Sequence, residues 1–326
     1  MRGRAAVAVA AGVMAVGLGV GTASPAGAQG TPVGGTGNQY FLNDAFTGAA
    51  NRVFGYGDRL DDVYAGDWNG DGTDTLMVRR GNTFFARNSN TSGNADVVFT
   101  YGNVDDVVLV GDWDGNGTDT LTVRRGNTFL VRNSTTSGVA DVTFVYGDPA
   151  DDVLVGDWDG NRTDTLVVRR GDRYFVKNDL TTGVATSQFV YGNPGDRILV
   201  GRWSTGQAGD TLAVRRGITY FLRFSLTSGA ADRVLDYGNA GDTAFSGDWN
   251  ADGVDTLGVR RDATPPPSQE PPGRPAGVPV QDVNCDHFGG SWTAAQAWFE
   301  WSIATYGRDV AGLDANNDGI ACESLR

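Results

Sequence analysis

Glutamate, histidine and cysteine are nearly missing from this chain of 326 residues. The glutamates are Glu270, Glu300 and Glu323, the only histidine is His287, and the two cysteines are Cys285 and Cys322. Everything before Glu270 therefore lacks imidazole, thiol and γ-carboxyl groups. Serine and threonine are plentiful there, but without a basic partner they read as surface rather than as nucleophiles. Lacking disulfides, that long region must be held by an ordinary hydrophobic core, and it is large enough to have one. A basic face is also missing. The formal charge is -13, which speaks against nucleic acid as a partner. It suits a solvated exported protein, or one that collects divalent cations. Long apolar runs are absent as well. The longest, Ala5 to Val20, is short for a membrane span, and no second one follows.

What is there begins with delivery. Met1-Arg2-Gly3-Arg4, the apolar run and Ala26-Gly27-Ala28 give a charged start, a short apolar core and a small-x-small end. That is the pattern of a secretory signal peptide over 1–28, with cleavage expected after Ala28. The competing reading is an uncleaved membrane anchor. Two cysteines in an exported chain imply one disulfide.

From Gln39 to Asp262 one unit recurs five times, around the phrase Gly66-Asp67-Trp68-Asn69-Gly70-Asp71-Gly72-Thr73-Asp74-Thr75-Leu76. Its tryptophans, Trp68, Trp113, Trp158, Trp203 and Trp249, fall 45, 45, 45 and 46 residues apart. A fixed period of this length marks a repeat architecture. Each unit holds four short runs rich in Val, Phe, Tyr and Thr, bounded by Gly, Asn or Asp, and none has helical periodicity. Arg-Gly-Asn between two runs predicts a hairpin turn. Four antiparallel strands repeated radially make a β-propeller; a linear β-solenoid is the alternative. The chain ends favour the ring. Half a unit precedes the first complete copy, around Tyr40 and Phe54, and the complementary half ends the last copy, around Phe245 and Val259. The expectation is five blades, one of them composite and closing the ring.

Tyr56, Tyr101, Tyr146, Tyr191 and Tyr237 recur in every copy, as do Asp61, Asp106, Asp151, Asp196 and Asp242, and Arg79, Arg124, Arg169, Arg215 and Arg260. One reading is architectural: Trp and Tyr pack between blades while Asp pairs with Arg or caps a turn. The other is five equivalent ligand pockets, with the tryptophans as aromatic platforms.

The loops carry a cation pattern. Asp67, Asn69 and Asp71 alternate ahead of Gly72, as do Asp112, Asp114 and Asn116 ahead of Gly117, and Asp157, Asp159 and Asn161 in the third copy. Oxygen ligands at alternate positions followed by glycine are how a short loop wraps calcium. Here the sequence resembles the FG-GAP and VCBS propeller repeats, and that resemblance implies calcium between the first two strands of a blade. Several positions depart from the family. The closing acid comes one residue early, at Asp74, Asp119, Asp164 and Asp255; Arg162 replaces the turning glycine; and the fourth loop, Arg202-Trp203-Ser204-Thr205, has lost the pattern. Asx turns that need no metal are the alternative reading of these loops.

Residues 263–280 hold seven of the eleven prolines and read as a semi-rigid tether. In 281–326, Thr293 is expected to cap a helix to about Thr305, with Ala294, Ala297, Trp298 and Trp301 on its apolar face. Asp314, Asn316 and Asp318, then Gly319, the carbonyl of Ile320 and a closing Glu323 form a calcium signature. A Cys285–Cys322 bridge would staple a module too small to rely on its core. Asn284-Cys285, Ala295-Gln296-Ala297-Trp298-Phe299 and Leu313 to Glu323 resemble the Excalibur extracellular calcium-binding module. That likeness implies Ca2+ binding outside the cell, with surface association common among its relatives.

The functional expectation is a secreted, non-catalytic, monomeric calcium-binding protein whose propeller binds cell-wall or cell-surface glycan or a protein. The alternative is a glycoside hydrolase or related enzyme using aspartates at the propeller axis. Two carboxylates in unlike environments would be needed for that.

Overall fold

The computed structural model describes residues 30–262, 274, 278–306, 311–314 and 321–325. The expected signal peptide, most of the tether, and Asn316, Asp318 and Ile320 lie outside them. No helix among the described residues is long and apolar enough to cross a membrane.

Residues 39–261 form five antiparallel sheets of four strands each. One blade shows how the sequence makes them all. Its strands are Val107–Gly111, Thr120–Arg125, Thr128–Arg132 and Val142–Val145. β-Branched and aromatic residues fill these strands, as a pleated, packed surface favours. Arg125 pairs with Thr128, leaving Gly126-Asn127 as a two-residue loop. Gly126 has a φ of 65°, the conformation the first loop position of a type II′ hairpin requires. The first strand of each blade is innermost and lies beside the first strands of both neighbouring blades.

The ring closes as the half-units predict. Thr243–Gly247 and Thr256–Arg261 pair with Gln39–Asn43 and Arg52–Gly55 in one sheet. The seam runs from Gln39 opposite Arg261 to Asn43 opposite Leu257. Two strands from each end of the repeat region thus share one blade.

The core is divided among the blade interfaces. One cluster joins Leu154, Trp158 and Tyr174 of one blade to Ile198, Leu212 and Val214 of the next. Four further clusters repeat this arrangement around the ring. Each large aromatic removes about 150–250 Å² from water, so neighbouring blades are bonded mainly by area.

The segment before the first strand runs up the axis. The Val33 N–H donates to Val63 O at 2.8 Å, and the Val110 N–H donates to Gly30 O at 2.7 Å. Thr31 and Val33 are buried.

The terminal module has its own core around Val283, Phe288, Trp298 and Leu313. Its helix spans Trp292–Tyr306. Ser291, not Thr293, caps it: Ser291 Oγ accepts from the Ala294 N–H at 3.3 Å. The buried face is Ala295, Trp298, Phe299 and Ser302, whereas Ala297 is exposed. Of the expected face, Trp298 is in the core and Ala294 and Trp301 pack against it, while Ala295 and Phe299 join it and Ala297 is left out. Cys285 and Cys322 are disulfide-bonded, with Cα atoms 5.5 Å apart.

Candidate functional site

The recurring residues resolve into three layers of the ring. The tryptophans make no platform. Trp68, Trp113, Trp158, Trp203 and Trp249 are all buried, at 5% exposure or less. They pack within the blade interfaces, so the pocket reading is corrected in favour of the architectural one. Burial of the indole beside the inner strands is the physical reason.

The second layer is on the flank. Each recurring tyrosine donates its hydroxyl to the third strand of the next blade. Tyr56 reaches Phe85 O at 2.9 Å, Tyr146 reaches Phe175 O at 2.8 Å, and Tyr237 reaches Phe41 O at 2.9 Å across the closure. The recurring arginines are also structural. Arg79 donates to the carbonyls of Asn103, Val104 and Asp106 in the next blade, and Arg260 does the same to Arg59 and Asp61. The recurring aspartates instead pair with the arginine one position later. Arg80 meets Asp61 at 2.8 Å, Arg125 meets Asp106 at 2.7 Å and Arg170 meets Asp151 at 2.6 Å. The Arg125 hydrogen bond holds the Asp106 carboxyl below the usual carboxylate range, and Arg216 does so for Asp196.

These second arginines are the residues that the sequence reading passed over. Their guanidinium groups lie over half-buried rings: Arg80 on Phe85, Arg170 on Phe175, Arg216 on Phe221 and Arg261 on Phe41, at 4.0–5.4 Å from the centroid. Leu130 takes the ring's place beside Arg125. A groove of about 270 Å³ opens there between two blades, lined by Tyr146, Asp148, Arg170, Phe175 and Val184. Val184 is 86% exposed. The visible signal was the doubled arginine at the end of each second strand, followed in four of the five by Phe or Leu four or five residues later; the ring beside Arg261 is Phe41, from the other end of the repeat region.

The third layer faces the axis. Asp67 Oδ1 accepts from the Gly70 N–H at 2.8 Å, and its Oδ2 from the Gly72 N–H at 2.7 Å. Asp112 and Asp157 repeat these bonds, and Asp248 repeats the second while its Oδ1 accepts from the Asn250 and Asp252 N–H groups. Asn69 donates to Asp71, and Asp71 accepts from the Thr73 N–H. These are Asx turns, in which the first aspartate spends both oxygens on its own loop. Asp114 and Asn116 occupy the corresponding exposed positions of the second loop, and Asn116 Oδ1 accepts from the Thr118 N–H. Among the described residues, no group of three or more His, Cys, Asp or Glu is arranged to hold a metal ion. In the fourth loop Gln207 replaces the missing aspartate. Its amide accepts from the Trp203 N–H and donates to Gly209 O and Thr211 Oγ1.

The acid that comes one residue early has a different task. Asp119 Oδ2 accepts the Asp67 N–H of the preceding blade at 2.7 Å, while the Asp119 N–H returns a bond to Asp67 O at 2.7 Å. Asp164, Asp210, Asp255 and Asp74 repeat this reciprocal clasp on Asp112, Asp157, Arg202 and Asp248. Burial pushes Asp119 and Asp210 up to about 7, and Asp74, Asp164 and Asp255 well above the ordinary value. Repulsion between ring members adds to this. Each carboxylate lies against the glycine that ends the innermost strand of the preceding blade, Asp119 at Gly66, Asp164 at Gly111, Asp210 at Gly156, Asp255 at Gly201 and Asp74 at Gly247, so the five line the axis.

In the terminal module, Asp314 and Glu323 are the two described members of the expected calcium set. The Cys322 N–H donates to Leu313 O at 2.9 Å, and the Ala321 N–H donates to Gln296 Oε1 at 2.9 Å. The first bond holds Leu313 and Cys322 together, while the second and the disulfide tie the 321–322 stretch to Gln296 and Cys285. Asp314 and Glu323, next in sequence to Leu313 and Cys322, carry ligands of the kind a hard cation takes. His287 serves as a cap, its Nδ1 accepting from the Asn284 N–H at 3.0 Å.

No family model matches the chain, and no curated protein matches its sequence.

Proposed function

We propose that the chain is an exported, non-catalytic calcium-binding protein whose propeller holds a glycan surface through its flank. The observation that carries this reading is repetition. The same solvent-facing Arg, paired with a buried Asp and followed by a ring or leucine on the next strand, recurs in every blade. A site made five times from equal parts suits a ligand with repeated epitopes, because a second contact forms at high effective concentration. A cell-wall or cell-surface polysaccharide has such epitopes; a clustered surface protein is the other partner of this kind. Calcium belongs to the terminal module, through Asp314, Asn316, Asp318, the Ile320 carbonyl and Glu323. Export rests on the pattern of residues 1–28.

A second reading is favoured by one observation, the aspartates at the axis. They would supply the carboxylates of a glycoside hydrolase. Against it stands their equivalence: each is tied to a backbone N–H in the same way, whereas acid and base need unlike surroundings. Incubating the mature chain with wall and surface polysaccharides separates the two. The binding reading expects retention on the polymer without new reducing ends. Release of reducing ends, abolished by Asp119→Asn, would establish the hydrolase instead.

A further inference from the structure

The axial aspartates do more than fasten neighbours. Asp74, Asp210 and Asp255 are buried, and Asp119 and Asp164 are half-buried. Each spends one oxygen on a single N–H of the preceding blade, at 2.6–2.8 Å. From the loops packed around them, Asp67, Asp112 and Asp248 add negative charge to Asp119, Asp164, Asp74 and Asp255, and Asp157 adds it to Asp210. Among the described residues, the cation that acts on the ring aspartates is Arg202, through Asp210. Below the ring, Gly30 packs against Val155 and Val110, so the axial segment limits water on that side. One N–H bond and one guanidinium do not offset five converging charges in a poorly solvated place.

We propose that this ring is a proton-operated clasp: protonated, it ties each blade to the next, and ionised, it repels across the axis and loosens all five interfaces together. Protonation need not break the tie, because the carbonyl oxygen of a neutral carboxyl still accepts the N–H. The sign follows from linkage. A carboxyl whose folded pKa lies above its unfolded value stabilises fully below that unfolded value, about 4, and loses the contribution as pH rises through the folded value. The flank carboxyls of Asp106 and Asp196, held low by their arginines, behave oppositely and act at lower pH, so the two effects occupy separate windows.

The test is thermal unfolding of the full mature chain from pH 4.5 to 8.5, with the carboxyl infrared band recorded at pH 6. The propeller transition should fall by at least about 5 °C across that range, and protonated carboxyls should be visible at pH 6. Asp119→Asn and Asp210→Asn keep an acceptor oxygen and remove a charge, so each should flatten the slope. Asp106→Asn, on the flank, should lower stability without flattening it. A transition that is level or rises with pH would overturn the clasp, as would Asn variants with the full slope. Restoration of the pH 5 stability at pH 8.5 by millimolar calcium would also overturn it, assigning the ring to a metal. If the Asn variants do not fold, the wild-type slope and infrared band decide between these outcomes.

Discussion

Arg162 sits where three sister loops have glycine, and it is held at a φ of 73°. Its N–H still donates to Asp157 Oδ2 at 2.8 Å, so the turn forms at a steric cost. Arg162→Gly is expected to stabilise the propeller by about 1 kcal/mol, read as a higher denaturant midpoint with unchanged slope. A neutral or destabilising result would mean the arginine makes a contact that offsets its strain. Asp106 and Asp196 give a second test. Their arginine partners hold their pKa values low, so their stabilisation is present above the ordinary carboxylate value and lost as pH falls beneath it. Below about pH 4 the propeller should weaken, and Asp106→Asn should lessen that acid sensitivity; an acid limb unchanged in the variant would contradict the pairing. Much at this scale was legible. The period exposed every recurring Tyr, Asp and Arg. The sequence could not tell which of two adjacent arginines meets the aspartate, because strand pleating sends them to opposite faces. Nor could it tell that a shifted aspartate reaches the neighbouring blade, since that bond spans 52 residues.

The element that decides the fold is the composite blade. Its strands were legible because the half-units complement each other, and the pairing of Gln39–Asn43 with Thr256–Arg261 follows. Deleting residues 39–56 removes two strands, the Tyr237 bond to Phe41 O and part of two interface clusters. The whole propeller should then melt earlier and less sharply by calorimetry. A truncated chain that keeps the transition temperature and sharpness of the parent would show that closure is dispensable. The segment 30–37 was not legible. It has no strand pattern, and its place is set by backbone bonds to inner strands whose edges face the axis. The terminal helix was found within a residue at its start, and three of its four expected face residues meet the core; Ala297 does not, since three-and-four spacing allows adjacent stripes when Trp and Ala are common.

At the scale of the molecule, the two proposed activities are assigned to two parts with separate cores. The terminal module should bind one calcium per chain. Glu323→Ala removes a ligand at the loop's end and should abolish both that binding, by equilibrium dialysis of the full chain, and the calcium-dependent rise in the module's melting temperature. Loss of neither would refute the ligand set. The proposed binding by the propeller rests on repetition, and it is tested most directly by retention of the mature chain on immobilised wall polysaccharide as flank sites are removed one after another. Arg→Ala changes at Arg80, Arg125, Arg170, Arg216 and Arg261, combined stepwise, should weaken retention steeply after the first one or two, by roughly tenfold or more per site as avidity is lost. Retention that survives all five changes, or that disappears with a single change at one particular blade, would contradict the account.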